Sequence, residues 1–185
     1  RLAGCNLACK FCDTEFESGT LLHADAVETE ARRLTHGWSS PLYVLTGGEP
    51  FRQDIRYLVN CLLRTGQVQI ETAGTLWLEG LANRAELVVS PKTGQIKAAI
   101  VGKAKAFKYI LRAGEIDMED GLPSVMPTGV PGRVARPPKH AEVFVQPCDD
   151  HDEERNKANL DAAKDVALKY GYRLSLQQHK LLELP

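Results

Sequence analysis

The sequence lacks the features of several protein classes. No apolar run approaches the roughly 20 residues that a membrane-spanning helix needs, and no charged-then-apolar signal segment opens the chain. The formal net charge over 185 residues is only -1, so no positive field is available to hold a nucleic-acid backbone or an anionic membrane. We therefore expect a cytoplasmic protein that binds a small molecule, with no nucleic-acid or membrane partner.

The composition is that of an ordinary globular protein. Apolar residues make up 43% of the chain and charged residues 25%, which argues against disorder, coiled coil and collagen. A chain of this length fits one domain, and we expect residues 1–185 to form a single domain with one active centre.

Short β-branched or aromatic runs alternate with longer amphipathic stretches, which is the pattern of a parallel α/β sheet. The six predicted strands are 42–45, 68–71, 86–90, 107–111, 142–146 and 172–176. The predicted helices are 24–36, 54–64 and 154–170, with a shorter candidate at 76–83. The segment 118–139, rich in proline and glycine, is predicted to be an irregular loop.

Small or polar residues follow five of these strands. In a parallel sheet the ligand site lies at the carboxyl ends of the strands, so the chemistry is expected there. The five segments are 46–50 (TGGEP), 71–74 (ETAG), 90–92 (SPK), 146–149 (QPCD) and 177–180 (QQHK).

Three of the five cysteines, Cys5, Cys9 and Cys12, form a C-x3-C-x2-C run. Three thiolates so close in sequence can ligate three corners of a cuboidal iron-sulfur cluster and leave one iron open. Zinc is the competing metal, with His23 as a possible fourth ligand. The two other cysteines stand apart: Cys61 lies on the apolar face of a predicted helix, and we assign neither it nor Cys148 to the cluster.

The cysteine run, followed by Thr-Gly-Gly-Glu-Pro on the next strand, resembles the radical S-adenosylmethionine superfamily. In that superfamily the open iron binds S-adenosylmethionine, whose reductive cleavage yields a radical that removes a substrate hydrogen. The resemblance places Phe11 near the adenine. Glycine at positions 47 and 48 suits the binding of S-adenosylmethionine, because the missing side chains let backbone groups approach the cofactor closely.

Further motifs resemble one family, the 7-carboxy-7-deazaguanine synthases, across nearly the whole chain. They are RLAGCNL at 1–7, CDT at 12–14, ETAG at 71–74, SPK at 90–92, QP at 146–147, and HKL at 179–181 before the terminal Pro185. The resemblance implies a pared-down partial (βα) barrel. It also implies conversion of 6-carboxy-5,6,7,8-tetrahydropterin to 7-carboxy-7-deazaguanine with loss of ammonia, on the way to queuosine, with a 4Fe-4S cluster, S-adenosylmethionine and Mg²⁺.

The resemblance also implies roles for individual residues. The cluster ligands would be Cys5, Cys9 and Cys12, and the magnesium ligand would be Thr14. Contacts to S-adenosylmethionine would come from Phe11, Gly47, Gly48, Glu49, Ser90, Lys92, Gln146, Pro147, Cys148 and Asp149. Contacts to the pterin would come from Arg1, Thr46, Glu71, His179 and the terminal carboxylate of Pro185.

Other interpretations stay open for four of these residues. Thr14 could be a turn hydroxyl, Lys92 a solvated surface lysine and His179 a structural hydrogen-bonding group. Glu71 could bind either the pterin or the cofactor ribose. Family members begin earlier, with a strand and a substrate-binding loop, so we expect that segment to be missing here.

Partners and alternative functions complete these expectations. We expect an electron donor such as flavodoxin and a homodimer. The alternative functions are a small radical enzyme that activates a glycyl-radical protein, and a zinc-binding structural module.

Overall fold

The computed structural model describes residues 1–12, 14–81 and 83–182, with the backbone alone at His179 and Leu181. The chain divides into two compact units. The first consists of Arg1–Ala8, Thr14–Val89 and Ile96–Lys105, and the second of Cys9–Asp13, Ser90–Gln95 and Ala106–Pro185.

The first unit is built on three parallel strands, in the order β1-β2-β3. Along the chain its elements are α1 (Ala24–Leu34), β1 (Leu42–Leu45), a 3-10 helix (Pro50–Arg52), α2 (Arg56–Leu62), β2 (Gln67–Thr72), β3 (Glu86–Val89) and α3 (Ala98–Val101). Alternate residues of β2 are buried, namely Val68, Ile70 and Thr72, because successive side chains of a strand point to opposite faces. This alternation fixes which side of the sheet packs on the core.

The strands β4 (Ala104–Leu111), β5 (Val143–Pro147) and β6 (Arg173–Leu174) pair in parallel in that order. All of their residues except the first two of β4 belong to the second unit. Its helices are α4 (Glu153–Tyr170) and α5 (Gln178–Leu181). Helix α4 begins at the N-cap Asp152, whose side chain accepts a hydrogen bond from the Arg155 amide, and ends at Gly171, whose φ is 73°. Asp152 thus satisfies a backbone amide at the start of the helix, and Gly171 adopts the left-handed conformation that ends it.

The predicted α/β class is confirmed, since all six predicted strands are present and every described strand pairing is parallel. The segment 118–139 contains no helix or strand, as predicted. None of the helices in the described ranges has the length and apolar character needed to cross a membrane.

The predicted helix at 76–83 is wrong. The described residues of that segment form irregular structure and turns, and Gly80 has a φ of 76°, which is incompatible with a right-handed helix. The strand predicted at 172–176 is limited to Arg173–Leu174 because the chain turns into α5, with the Gln178 amide donating to the Leu176 carbonyl (2.9 Å). Helices α3 and α5 were not predicted: four residues are too few to show helical periodicity.

Candidate active site

In the first unit, the segment that leads to Cys5 is paired with the loop that follows β1. Leu2 and Gly47 form a parallel bridge. In it, the Leu2 amide donates to the Thr46 carbonyl (2.7 Å) and the Gly48 amide donates to the Leu2 carbonyl (2.8 Å). The first cysteine is therefore held in register with the Thr-Gly-Gly-Glu-Pro motif by backbone hydrogen bonds.

The two glycines of that motif are required by this close approach. Gly47 has a φ of 127°, and a Cβ there would overlap the backbone of Leu2. A Cβ on Gly48 would overlap the carbonyl of Gly4, which also accepts a hydrogen bond from the Glu49 amide (2.9 Å). The chain's own backbone thus excludes side chains at both positions, whether or not a cofactor also approaches them.

Glu49 joins the ends of β1 and β2. Its side chain is buried, with the residue only 1% exposed. Its carboxylate accepts hydrogen bonds from the amides of Phe51 (3.2 Å) and Ala73 (2.8 Å) and from the hydroxyl of Thr72 (2.7 Å). Buried carboxylates persist only with such donors, so Glu49 fixes the loop that carries the glycines. Its predicted contact with S-adenosylmethionine stays a prediction.

Two residues that the sequence patterns did not single out hold the Cys5 segment from the other side. Arg52 donates to the Cys5 carbonyl (2.6 Å) and Gln53 donates to the Ala3 carbonyl (2.7 Å). The Cys5 sulfur accepts a hydrogen bond from the Leu7 amide (3.5 Å), as a ligating thiolate does. The only signal in the sequence for Arg52 and Gln53 was their position shortly after the Gly-Gly-Glu-Pro motif.

The other predicted site residues of the first unit are exposed or half-buried. Arg1 is exposed, and Thr14, Thr46 and Glu71 are half-buried. Thr46 follows β1 directly, and Glu71 is the second-last residue of β2, so both lie at carboxyl ends of strands as expected. Their roles toward the pterin and magnesium remain predictions.

Cys9 and Cys12 belong to the second unit, where the Cys12 amide donates to the Cys9 carbonyl (3.1 Å). Neither these cysteines nor Cys5 forms a disulfide, so all three thiols have the donor chemistry that an iron-sulfur cluster requires. In the described ranges, no three or more His, Cys, Asp or Glu side chains are already gathered around a metal position.

The second unit contains a cavity of about 340 Å³. Phe11 lies in its wall, with Lys92 Nζ 5.9 Å and Arg112 Cζ 5.7 Å from the ring centroid. Lys92 also donates to the Ser90 hydroxyl (2.5 Å). Three predicted cofactor-binding residues are thus brought together, and Lys92 lines a cavity instead of a fully solvated surface.

The irregular loop forms another part of the cavity wall. The Lys10 amide donates to the Pro127 carbonyl (3.0 Å), which attaches the loop to the residues between the second and third cysteines. Gly129 packs against the Lys10 side chain, and Met126, Val130 and other residues of 123–134 line the space. A segment predicted only as irregular therefore shapes the candidate site.

Arg112 was missed by the sequence patterns, although it lies at the carboxyl end of β4, where polar residues were sought after the other strands. It forms an ion pair with Asp150, which also accepts a hydrogen bond from Asn159 (3.0 Å). Partial burial of the Asp150 carboxyl opposes its ionisation. The hydrogen bonds from Asn159 and Arg112 outweigh this effect and lower its pKa.

The segment after β5 is anchored to α4 and α5. Asp149 accepts hydrogen bonds from Lys180 (2.5 Å), from the His151 amide (2.9 Å) and from the Asn156 side chain (2.8 Å). The contact with Lys180, followed by the His151 amide, lowers the pKa of the Asp149 carboxyl. An ionised Asp149 therefore ties the C-terminal helix to this strand end.

Cys148 is buried, and burial raises the pKa of its thiol to about 11. Cys61 is likewise buried, which supports leaving both cysteines out of the cluster. Gln146 and Pro147 are the last residues of β5. His179 lies in α5 and not in a loop after a strand, and Pro185 lies outside the described residues.

Known proteins resemble this chain both in sequence and in fold. No protein-family model matches the chain. The 7-carboxy-7-deazaguanine synthase of Rhodospirillum rubrum is 43% identical over 198 residues, covering 100% of this chain and 82% of the relative. That of Rickettsia prowazekii is 38% identical, covering 98% of this chain and 77% of the relative.

One solved structure confirms the fold. The crystal structure of QueE from Escherichia coli matches with a TM-score of 0.60 at 19% identity, covering 95% of this chain and 82% of that one. At that identity the likeness supports the architecture alone, including the pared-down partial barrel. The sequence relatives carry the assignment: this chain belongs to the 7-carboxy-7-deazaguanine synthase family.

Proposed function

We propose that this chain is a radical S-adenosylmethionine lyase that converts 6-carboxy-5,6,7,8-tetrahydropterin to 7-carboxy-7-deazaguanine. The ring contracts and ammonia leaves, which provides the precursor of 7-deazapurines such as queuosine. The observation that carries the proposal is the pairing of the Cys5 segment with the Thr-Gly-Gly-Glu-Pro loop through the Leu2–Gly47 bridge. It joins the first cysteine of the C-x3-C-x2-C run to the Thr-Gly-Gly-Glu-Pro motif inside one compact unit of a chain from this family.

The cluster would be held by Cys5, Cys9 and Cys12, which form no disulfide and lie half-buried or exposed on loops. When bound, the cluster and S-adenosylmethionine supply the one-electron chemistry that begins removal of a substrate hydrogen. The chain's own part is to hold the three thiols: the Leu7 amide polarises the Cys5 sulfur, and Arg52 fixes the Cys5 carbonyl.

The residues proposed to bind S-adenosylmethionine lie in both units. In the second unit Phe11 and Lys92 line the cavity, and Ser90 accepts a hydrogen bond from Lys92. The Phe11 ring faces two cations and so presents a stacking surface in a positive environment. In the first unit Gly47 and Gly48 would offer backbone groups, held rigidly by the buried Glu49.

Magnesium and the pterin would be bound by residues that flank these motifs. A single threonine hydroxyl, Thr14, suits Mg²⁺, because this ion keeps water and substrate oxygens in its octahedron. Arg1, Thr46 and Glu71 would contact the pterin, together with His179 and the carboxylate of Pro185. We further propose that the enzyme acts in the cytoplasm as a homodimer reduced by a flavodoxin-type donor.

The test is an anaerobic assay of the reconstituted enzyme with S-adenosylmethionine, reductant, Mg²⁺ and the carboxytetrahydropterin. We expect formation of 7-carboxy-7-deazaguanine and one equivalent of ammonia, with about four irons per chain and a brown colour. A colourless protein that binds zinc would contradict the proposal. Cleavage of S-adenosylmethionine without any conversion of the pterin would favour the glycyl-radical activating alternative.

A further inference from the structure

We propose that Arg112 is a ligand-binding residue of the second unit's cavity and that it receives a carboxylate group. The inference rests on the proposed function, because both molecules that the enzyme would bind, S-adenosylmethionine and the carboxytetrahydropterin, carry a carboxylate. Arg112 is the first residue after β4 and lines the cavity. It therefore lies where ligands of parallel sheets bind.

The charges in the cavity wall favour an anionic group. Three lining residues carry a positive charge, Lys10, Lys92 and Arg112, and one, Glu115, carries a negative charge. Two of the cations lie within 6 Å of the Phe11 ring centroid, at 5.9 and 5.7 Å. With Asp150, which pairs with Arg112, counted as a second negative charge, a carboxylate that entered beside this ring would still meet an excess of one positive charge.

The guanidinium of Arg112 still has donors to offer. Nη2 donates to Asp150, and Nη1 lies 3.9 Å from Glu115, which is too far for a hydrogen bond. Nε is buried and out of a ligand's reach, and the Cys148 thiol also contacts the guanidinium, so the terminal Nη1 and Nη2 are the nitrogens that would meet a carboxylate. A guanidinium can bind a carboxylate through two parallel N–H groups.

The side chain is also held in place before a ligand binds. Asp150 pairs with Arg112 and is itself fixed by Asn159, a buried residue of α4. Asn159 in addition accepts a hydrogen bond from the Ala113 amide (2.8 Å), so it fixes the backbone next to Arg112 as well. An arginine ordered in this way loses little conformational freedom on binding.

The experiment compares Arg112→Gln with Arg112→Lys in the reconstituted holoenzyme, and dissociation constants are measured for four molecules. These are S-adenosylmethionine, its decarboxylated form, the carboxytetrahydropterin and tetrahydropterin without the carboxylate. We expect Arg112→Gln to raise the dissociation constant of one carboxylated ligand by about 10- to 100-fold. The dissociation constant of its carboxylate-free analogue should rise by less than about twofold. We expect Arg112→Lys to restore part of the affinity, and the affected ligand identifies which carboxylate is bound.

Arg64→Gln is the control, because Arg64 is an exposed arginine after α2, and it should leave all four constants unchanged. Equal losses for a ligand and its analogue, or no loss at all, would overturn the inference. If Arg112→Gln fails to retain iron, Arg112→Lys carries the same comparison, with a smaller loss confined to one carboxylated ligand. A wild-type enzyme that does not convert the pterin contradicts the proposed function, whereas active wild type with unchanged constants in both variants contradicts only the role of Arg112.

Discussion

Gly48 lies directly against the backbone of Gly4, the residue before the first cysteine of the C-x3-C-x2-C run, so that a Cβ on Gly48 would overlap the Gly4 carbonyl. The same carbonyl accepts the Glu49 amide at 2.9 Å. The geometry of the cysteine segment and that of the Gly-Gly-Glu-Pro loop are therefore set together. A change in one must displace the other.

The first prediction follows from this contact. Gly48→Ala should lower the iron content of the reconstituted protein and weaken binding of S-adenosylmethionine, because backbone at Gly4 and Cys5 must move to admit the methyl group. Iron per chain and the absorbance of the cluster measure the effect. Gly102→Ala is the matched control, since no atom lies within 4 Å of a Cβ at Gly102. A Gly48→Ala protein with full iron content would show that the Gly-Gly-Glu-Pro loop moves to admit the methyl group without displacing Cys5.

The second prediction concerns the buried carboxylate of Glu49. Glu49→Gln should lower the free energy of unfolding by about 1–3 kcal/mol, because the new amide nitrogen cannot accept from the donors that the carboxylate serves. Urea unfolding of wild type and variant measures the difference. Glu17→Gln, at an exposed position of the same unit, should change the stability little. Equal stability of the two variants would argue against a positioning role for Glu49.

The strands could be predicted from the sequence, and the contacts between their ends could not. The alternation of Val68, Ile70 and Thr72 is a local signal with a period of two, and the structure buries these residues. The hydrogen bond from Thr72 to Glu49 joins residues 23 positions apart and depends on the register of β1 against β2. No local pattern encodes that register.

The same limit explains the glycines and Arg112. The Gly-Gly pair was predicted to make room for a cofactor, whereas its nearest neighbours in the structure are Leu2 and Gly4. Arg112 becomes a site residue only through Asp150 and Phe11, which lie far from it in sequence. Residue types and strand ends can be predicted from sequence, but the pairs that tertiary packing creates cannot.

The third prediction separates the cysteines. Cys5→Ser, Cys9→Ser and Cys12→Ser should each abolish the absorbance of the reconstituted cluster and the cleavage of S-adenosylmethionine. Cys61→Ser and Cys148→Ser should retain the cluster, because both thiols are buried, and burial keeps Cys148 protonated with a pKa of about 11. Anaerobic reconstitution followed by iron determination tests all five. A full cluster in any of the first three variants would remove that cysteine from the ligand set.

The last prediction uses the ion pair that anchors the C-terminal helix. Asp149 accepts hydrogen bonds from Lys180, His151 and Asn156, and the Lys180 contact lowers the pKa of its carboxyl in the folded protein. A depressed pKa contributes stability that is fully present above the unfolded value, about 3.9, and is lost as the pH falls toward the folded value. Asp149→Asn should therefore cost about 1–3 kcal/mol at pH 7.

This cost should stay constant from pH 7 to about pH 5 and shrink below about pH 4, by at most about 1.4 kcal/mol per pH unit. Urea unfolding at several pH values, down to the lowest at which the wild type stays folded, gives the curve. Asp161→Asn is the control: its carboxylate pairs with Lys164 on the exposed face of α4, where water screens the pair, so little change is expected at any pH. A cost for Asp149→Asn that does not decline in acid would show that the charge of Asp149 is not what holds α5 in place.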